Sequence, residues 1–92
     1  MKILANDGIS AAGQKALESA GYSVITQKVE QDQIPAYINA EGIEILLVRS
    51  ATTARASLID ACPGLKSIGR GGVGMDNIDV AYAREKGLTV IN

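Results

Sequence analysis

A chain of 92 residues, 47 % apolar and 21 % charged, is long enough for one thin-cored domain and no more. Nine Lys and Arg against ten Asp and Glu leave a net charge of −1, which excludes a nucleic-acid module held by general basicity. One cysteine, Cys62, and no histidine exclude a disulfide framework, a multi-cysteine metal site and every histidine-assisted nucleophile.

The first apolar segment is KILAN (2–6). It carries a lone Lys2 and no long apolar stretch behind it, so no secretory leader is expected, and no run in the chain reaches the ~18 residues of a membrane span. The expected setting is the cytoplasm, with neither membrane nor nucleic acid as a partner. Next, Ile9, Ala12, Ala16, Leu17 and Ala20 fall on one helical face, with Ser10 as N-cap and Gly21 behind. A second strand, SVITQ (23–27), leads to a weaker helical stripe of Ile34, Tyr37 and Ile38. Asp32 is its expected cap, and Pro35 must lie in its first turn. EILLVR (44–49) is apolar on both faces, as a strand covered on both sides should be. Leu58, Ile59 and Cys62 form a third stripe behind Thr53. KSIGR (66–70) is the fourth strand; Val80, Tyr82 and Ala83 form the fourth stripe behind Asp79; LTVIN (88–92) is the fifth strand. Gly42, Gly64 and Gly87 close the last three stripes, where a left-handed residue is useful.

The strand segments start at 2, 23, 44, 66 and 88, a step of 21 or 22 residues. The segments lack the spaced leucines of a leucine-rich repeat. Strict alternation instead demands crossovers and a parallel sheet. The expectation is an α/β domain with a flavodoxin-like, parallel five-stranded sheet in the order 2-1-3-4-5 and four helices. Right-handed crossovers put the first helix on one face and the other three on the opposite one. A fifth helix beside the first has no counterpart, so strands three to five are expected to be bare on one side, and self-association through that face is expected, giving a homo-oligomer.

In such sheets ligands bind beyond the carboxyl ends of the strands. Arg49 and Arg70 end neighbouring strands, and Gly71-Gly72-Val73-Gly74 follows with backbone N–H groups suited to an anion nest. A planar guanidinium binds two oxygens at once, so a small anionic ligand with carboxylate, phosphate or both is expected there. The plainer reading is an ion pair of either Arg with Asp7 or Asp76. Asp76 and Asp79 read as helix caps, Asn6-Asp7 as a turn, Cys62 as packing at a helix end, and Tyr22, Tyr37 and Tyr82 as rim packing. Gly69 to Gly74 also satisfies G-x-G-x-x-G. It follows the fourth strand rather than the first, however, and no acidic residue stands about 20 positions on.

LLVRSAT (46–52) and LKSIGRGGVGMDNIDVAYAREKGLTVIN (65–92) resemble the N-terminal part of the D-isomer-specific 2-hydroxyacid dehydrogenases. The resemblance implies oxidation of a D-2-hydroxy acid by hydride transfer to NAD, with 3-phosphoglycerate, converted to 3-phosphohydroxypyruvate for serine biosynthesis, as the expected substrate. It implies a substrate domain interrupted by a Rossmann domain that carries NAD and the catalytic Arg, Glu and His. Residues 1–92 would then be part of the substrate domain, a fragment inactive alone, with no catalytic, cofactor-binding or metal-binding residue. Arg49, Ser50, Arg70, Gly72, Val73 and Gly74 are the expected substrate contacts. Gly71 stands where such proteins often have Ala, and Met75 where they often have Val. The alternatives are reduction of hydroxypyruvate or glyoxylate, and a non-catalytic interaction module of the same fold. A phosphorelay receiver would need Asp where Arg49 stands, and flavin transfer would need aromatic flanks in a chain without Trp or Phe.

Overall fold

A computed structural model describes residues 1–71 and 74–91. Strands β1 (Lys2–Ala5), β2 (Ser23–Ile25), β3 (Ile43–Val48), β4 (Ser67–Arg70) and β5 (Thr89–Ile91) alternate with helices α1 (Ala11–Ser19), α2 (Ile34–Glu41), α3 (Ala56–Ala61) and α4 (Val80–Glu85). The sheet is parallel throughout, in the order β2-β1-β3-β4-β5. The architecture is the one the spacing of the apolar segments implies.

Local chemistry explains most of the boundaries. Ser10 caps α1 by accepting the Gly13 N–H at 3.0 Å. Gly21, Gly42 and Gly87 follow or cap their helices with φ of 97°, 67° and 90°, a region that L side chains rarely adopt. Gly64 does not share this conformation; Pro63 and the Cys62 cap already end α3. A 3₁₀ turn at Gln31–Gln33, unforeseen in the sequence, contains Asp32, so α2 starts at Ile34 with Gln33 as its cap position and Pro35 in its first turn. Thr53 caps nothing: its backbone N–H and C=O are taken by the Gln31 side-chain amide, at 2.9 Å each. Asp79 stands at the cap position of α4, yet its carboxylate serves α3, accepting from Ala56 N at 2.9 Å and Arg55 Nη1 at 3.1 Å.

The larger part of the core lies on one side of the sheet, with Ile3 and Ala5 buried on the other. Leu4, Leu46, Val48, Ile68 and Val90 point to the face covered by Ile34 and Ile38 of α2, Leu58 and Ile59 of α3, and Ala83 of α4. Cys62 is buried in this cluster, and burial pushes its thiol pKa up, so it is a packing residue. Tyr37 and Tyr82 pack at the cluster's margin. The opposite face is thinly covered. Helix α1 packs beside β2 and contributes no buried residue. Leu47 is half-buried and Ile91 is 58 % exposed. An alanine Cβ at Gly69 would meet Leu47 Cδ2 at 2.7 Å, so the missing side chain lets Leu47 settle onto the sheet.

The two faces should differ in energetic weight. Leu46→Ala, at a fully buried site, is expected to cost about 3 kcal/mol, whereas Leu47→Ala should cost no more than about 1 kcal/mol. Urea denaturation of both variants checks this; equal losses would mean that the open face is as well packed as the closed one.

Candidate functional site

The carboxyl rim of β1, β3 and β4 is organised by side chains from the end of β1. Asn6 and Thr52 are the buried polar residues of the described chain, 2 % and 1 % exposed. Asn6 Nδ2 donates to Val29 O at 3.0 Å and to Thr52 Oγ1 at 2.9 Å, while its Oδ1 accepts the Val29 N–H at 2.7 Å. Next to it, Asp7 Oδ2 accepts the backbone N–H groups of Arg49 (2.7 Å) and Thr52 (3.0 Å). Its Oδ1 accepts the Thr52 hydroxyl (2.6 Å) and Lys28 Nζ (2.8 Å). Asn6-Asp7 is therefore more than a turn: it fixes the loop after β3. The signal was available, since a polar pair directly after a buried strand must find partners on the neighbouring strand's loop.

Burial by itself would raise the Asp7 pKa. The hydrogen bonds from Lys28, Thr52 and the two backbone N–H groups outweigh it and hold the carboxyl well below the usual range. The folded state thus binds this proton more weakly than the unfolded chain does. Asp7 contributes stability that is fully present above its unfolded pKa of about 4 and is lost as pH falls towards the lower folded pKa.

Arg49 and Arg70 lie at this rim on adjacent strands. Arg70 is in register with Val48, and Gly71 N donates to Val48 O at 3.0 Å. The pleat separates the two side chains. Arg70 leaves on the side of Val48, towards the turn before α4, where its Nε donates to Asn77 Oδ1 at 3.0 Å. Arg49 leaves on the other side and packs near Gly71, where an added Cβ would lie 3.8 Å from its Cγ and Nε. The two guanidinium groups thus flank the rim from its two sides rather than standing parallel, a consequence of strand alternation. Both residues border one shallow cleft of about 230 Å³, floored by Ile9, Leu47, Gly69 and Ile91.

Asp7 pairs with Lys28, and Asp79 with Arg55. Among the described residues no carboxylate forms a salt bridge with Arg49 or Arg70. Ser50 is exposed beside Arg49, and Gly74 is partly buried in the turn after β4. Gly72 and Val73 fall outside the described residues. Sequence reasoning missed Asn77, whose Nδ2 donates to Arg49 O at 2.6 Å and Thr52 O at 2.7 Å. The segment around it also docks on the β3–α3 loop, with Ala54 N donating to Asn77 O and Asp79 N to Ala54 O.

Helix α4 begins only at Val80, with Asp79 at its cap position, so no helix N-terminus is presented to a pyrophosphate. No cluster of metal-ligating side chains occurs among the described residues, and no helix there is long and apolar enough to cross a membrane. A larger cleft of about 570 Å³ opens at the opposite end of the sheet around Met1, Cys62, Lys66 and Lys86. Its lysines are engaged, Lys66 with Glu44 at 2.8 Å and Lys86 over the Tyr82 ring at 5.4 Å.

Residues 3–92 match the family described as D-isomer specific 2-hydroxyacid dehydrogenase, catalytic domain. A hydroxypyruvate reductase from Thermotoga maritima is 40 % identical over 81 residues, covering 88 % of this chain and 26 % of the relative. A D-3-phosphoglycerate dehydrogenase from Methanocaldococcus jannaschii is 37 % identical over 92 residues, covering 100 % of this chain and 17 % of the relative. The chain therefore spans about a quarter or less of the length of these relatives. The crystal structure of the TT0316 protein from Thermus thermophilus superposes with a TM-score of 0.84 at 25 % identity, over 98 % of this chain and 29 % of that one.

The Asp7 clamp gives a pH-dependent expectation. Asp7→Asn removes the charge that Lys28, Thr52 and two N–H groups solvate, and should cost about 2 kcal/mol at pH 7. The gap between variant and unmodified chain should narrow below about pH 4, where the carboxylate's contribution fades. Denaturation at several pH values checks it; a gap that stays constant down to pH 2 would contradict the ionic clamp.

Proposed function

The chain belongs to the D-isomer specific 2-hydroxyacid dehydrogenase family, and from that premise we propose that it is the substrate-anion-binding part of an NAD-dependent D-3-phosphoglycerate dehydrogenase. The observation that carries the reading is the pair of guanidinium groups at the carboxyl rim with no carboxylate bridged to either among the described residues. Each guanidinium offers a planar pair of donors suited to a carboxylate or phosphate. 3-Phosphoglycerate has a carboxylate at one end and a phosphate at the other, so each Arg can take one.

In this reading Arg49 and Arg70 hold and orient the substrate, Ser50 adds a hydroxyl beside Arg49, and the backbone of Gly72, Val73 and Gly74 receives the carboxylate. NAD would act as hydride acceptor in the whole enzyme. The chain's own contribution in this reading is substrate binding. Residues 1–92 then form part of a substrate-binding domain, inactive alone.

A second reading, a hydroxypyruvate or glyoxylate reductase, is supported by the 40 % identity to the Thermotoga maritima protein. The two differ in whether the rim needs a phosphate. Titration of the ¹⁵N-labelled chain is expected to shift the amides of Arg49, Ser50, Arg70 and Gly74 with 3-phosphoglycerate far more than with glycerate. Arg49→Ala and Arg70→Ala should each weaken binding about tenfold. Equal response to glycerate would favour the reductase, and shifts confined to other surfaces would defeat both readings.

We also propose that two copies associate through the open face, where Leu47 and the exposed Ile91 flank Gly69. Light scattering should give a dimer that Ile91→Lys disperses. A monomer at millimolar concentration would refute the association.

A further inference from the structure

We propose that Asn77 is a positioning residue for the anion rim, fixing the plane of the Arg70 guanidinium and tying it to the loop that carries Arg49. The inference rests on the reading of that rim as a substrate site.

A primary amide can donate two hydrogen bonds while accepting others, and Asn77 uses both capacities. Its Nδ2 donates to Arg49 O at 2.6 Å and Thr52 O at 2.7 Å. Its Oδ1 accepts from Arg70 Nε at 3.0 Å. One side chain therefore links the ends of β3 and β4 at the point where each delivers an Arg. The bond to Nε has a directional consequence. A guanidinium offers its donors in a rigid plane. With Nε occupied, the edge formed by Nη1 and Nη2 is the one left for two oxygens of an anion. The plane can no longer rotate freely about the last side-chain bonds, so less freedom is lost when ligand arrives.

The chemistry also explains why an amide suits this position better than a carboxylate. Aspartate there would neutralise Arg70, compete with the ligand, and set a negative charge against the carbonyls of Arg49 and Thr52. Asparagine orients Arg70 and leaves its charge unspent. The neighbouring acids do not take this role: Asp79 is committed to Arg55 and Ala56 N, and Asp7 to Lys28 and the β3–α3 loop.

The test is a double-mutant cycle on the 92-residue chain, with 3-phosphoglycerate and inorganic phosphate as probes and amide spectra as the control for folding. Asn77→Ala is expected to weaken 3-phosphoglycerate binding about tenfold when Arg70 is present, but less than about threefold in an Arg70→Ala background. Asn77→Asp should weaken binding more than Asn77→Ala. A second measurement needs no variant: the Arg70 Nε–H signal should be resolved and slow to exchange in the unmodified chain. Equal losses from Asn77→Ala with and without Arg70, or a rapidly exchanging Nε–H, would overturn the role of Asn77 and leave the rim reading standing. Failure of the unmodified chain to bind either probe would overturn the rim reading itself, and this proposal with it.

Discussion

The carboxyl rim of this molecule depends on one carboxylate whose side chain is almost wholly buried. Asp7, just after strand β1, reaches across to the loop after the central strand β3 and accepts two of its N–H groups, from Arg49 and Thr52. A loop of this kind has no ladder of its own to satisfy its backbone, and left in water it would sample many conformations. The carboxylate gives it one. Because the same residue also accepts from Lys28, one side chain joins the loops after β1, β2 and β3 at the point where Arg49 leaves the sheet.

Two clamps meet on the β3–α3 loop. Asp7 satisfies its donors from the β1 side, and Asn77 satisfies its acceptors from the β4 side. Between them the backbone from Arg49 to Thr52 is bonded in both senses, which suits a loop that must present a cation without collapsing onto it. Two nearby acids are engaged elsewhere, Asp7 with Lys28 and Asp79 with Arg55, and among the described residues no carboxylate bridges to Arg49 or Arg70. In the proposed anion site, a fixed backbone presenting charge would count for more than a cluster of basic residues.

The architecture was legible because it rests on spacing. Five apolar segments at a constant step, with glycine closing each helical stripe between them, leave few folds available, and the strand order followed from the alternation of strand and helix. The pair Arg49 and Arg70 was legible for the same reason, as both simply end strands. What stayed hidden depends on where side chains reach. Asp79 looks like a cap for its own helix and caps another. Asp32 was absorbed into a 3₁₀ turn, and Thr53 gave its backbone to Gln31. The opposed exits of the two guanidinium groups follow from the pleat, yet only the observed register, with Val48 beside Arg70, fixes which one turns to Asn77.

The most direct measurement is a crystal structure of the chain grown with 3-phosphoglycerate. The account predicts the ligand at the carboxyl rim, its charged ends within hydrogen-bond distance of the Arg49 and Arg70 guanidinium groups and one oxygen near the Gly74 backbone. Ligand seated instead in the cleft at the opposite end, around Lys66 and Lys86, with the rim arginines untouched, would contradict it.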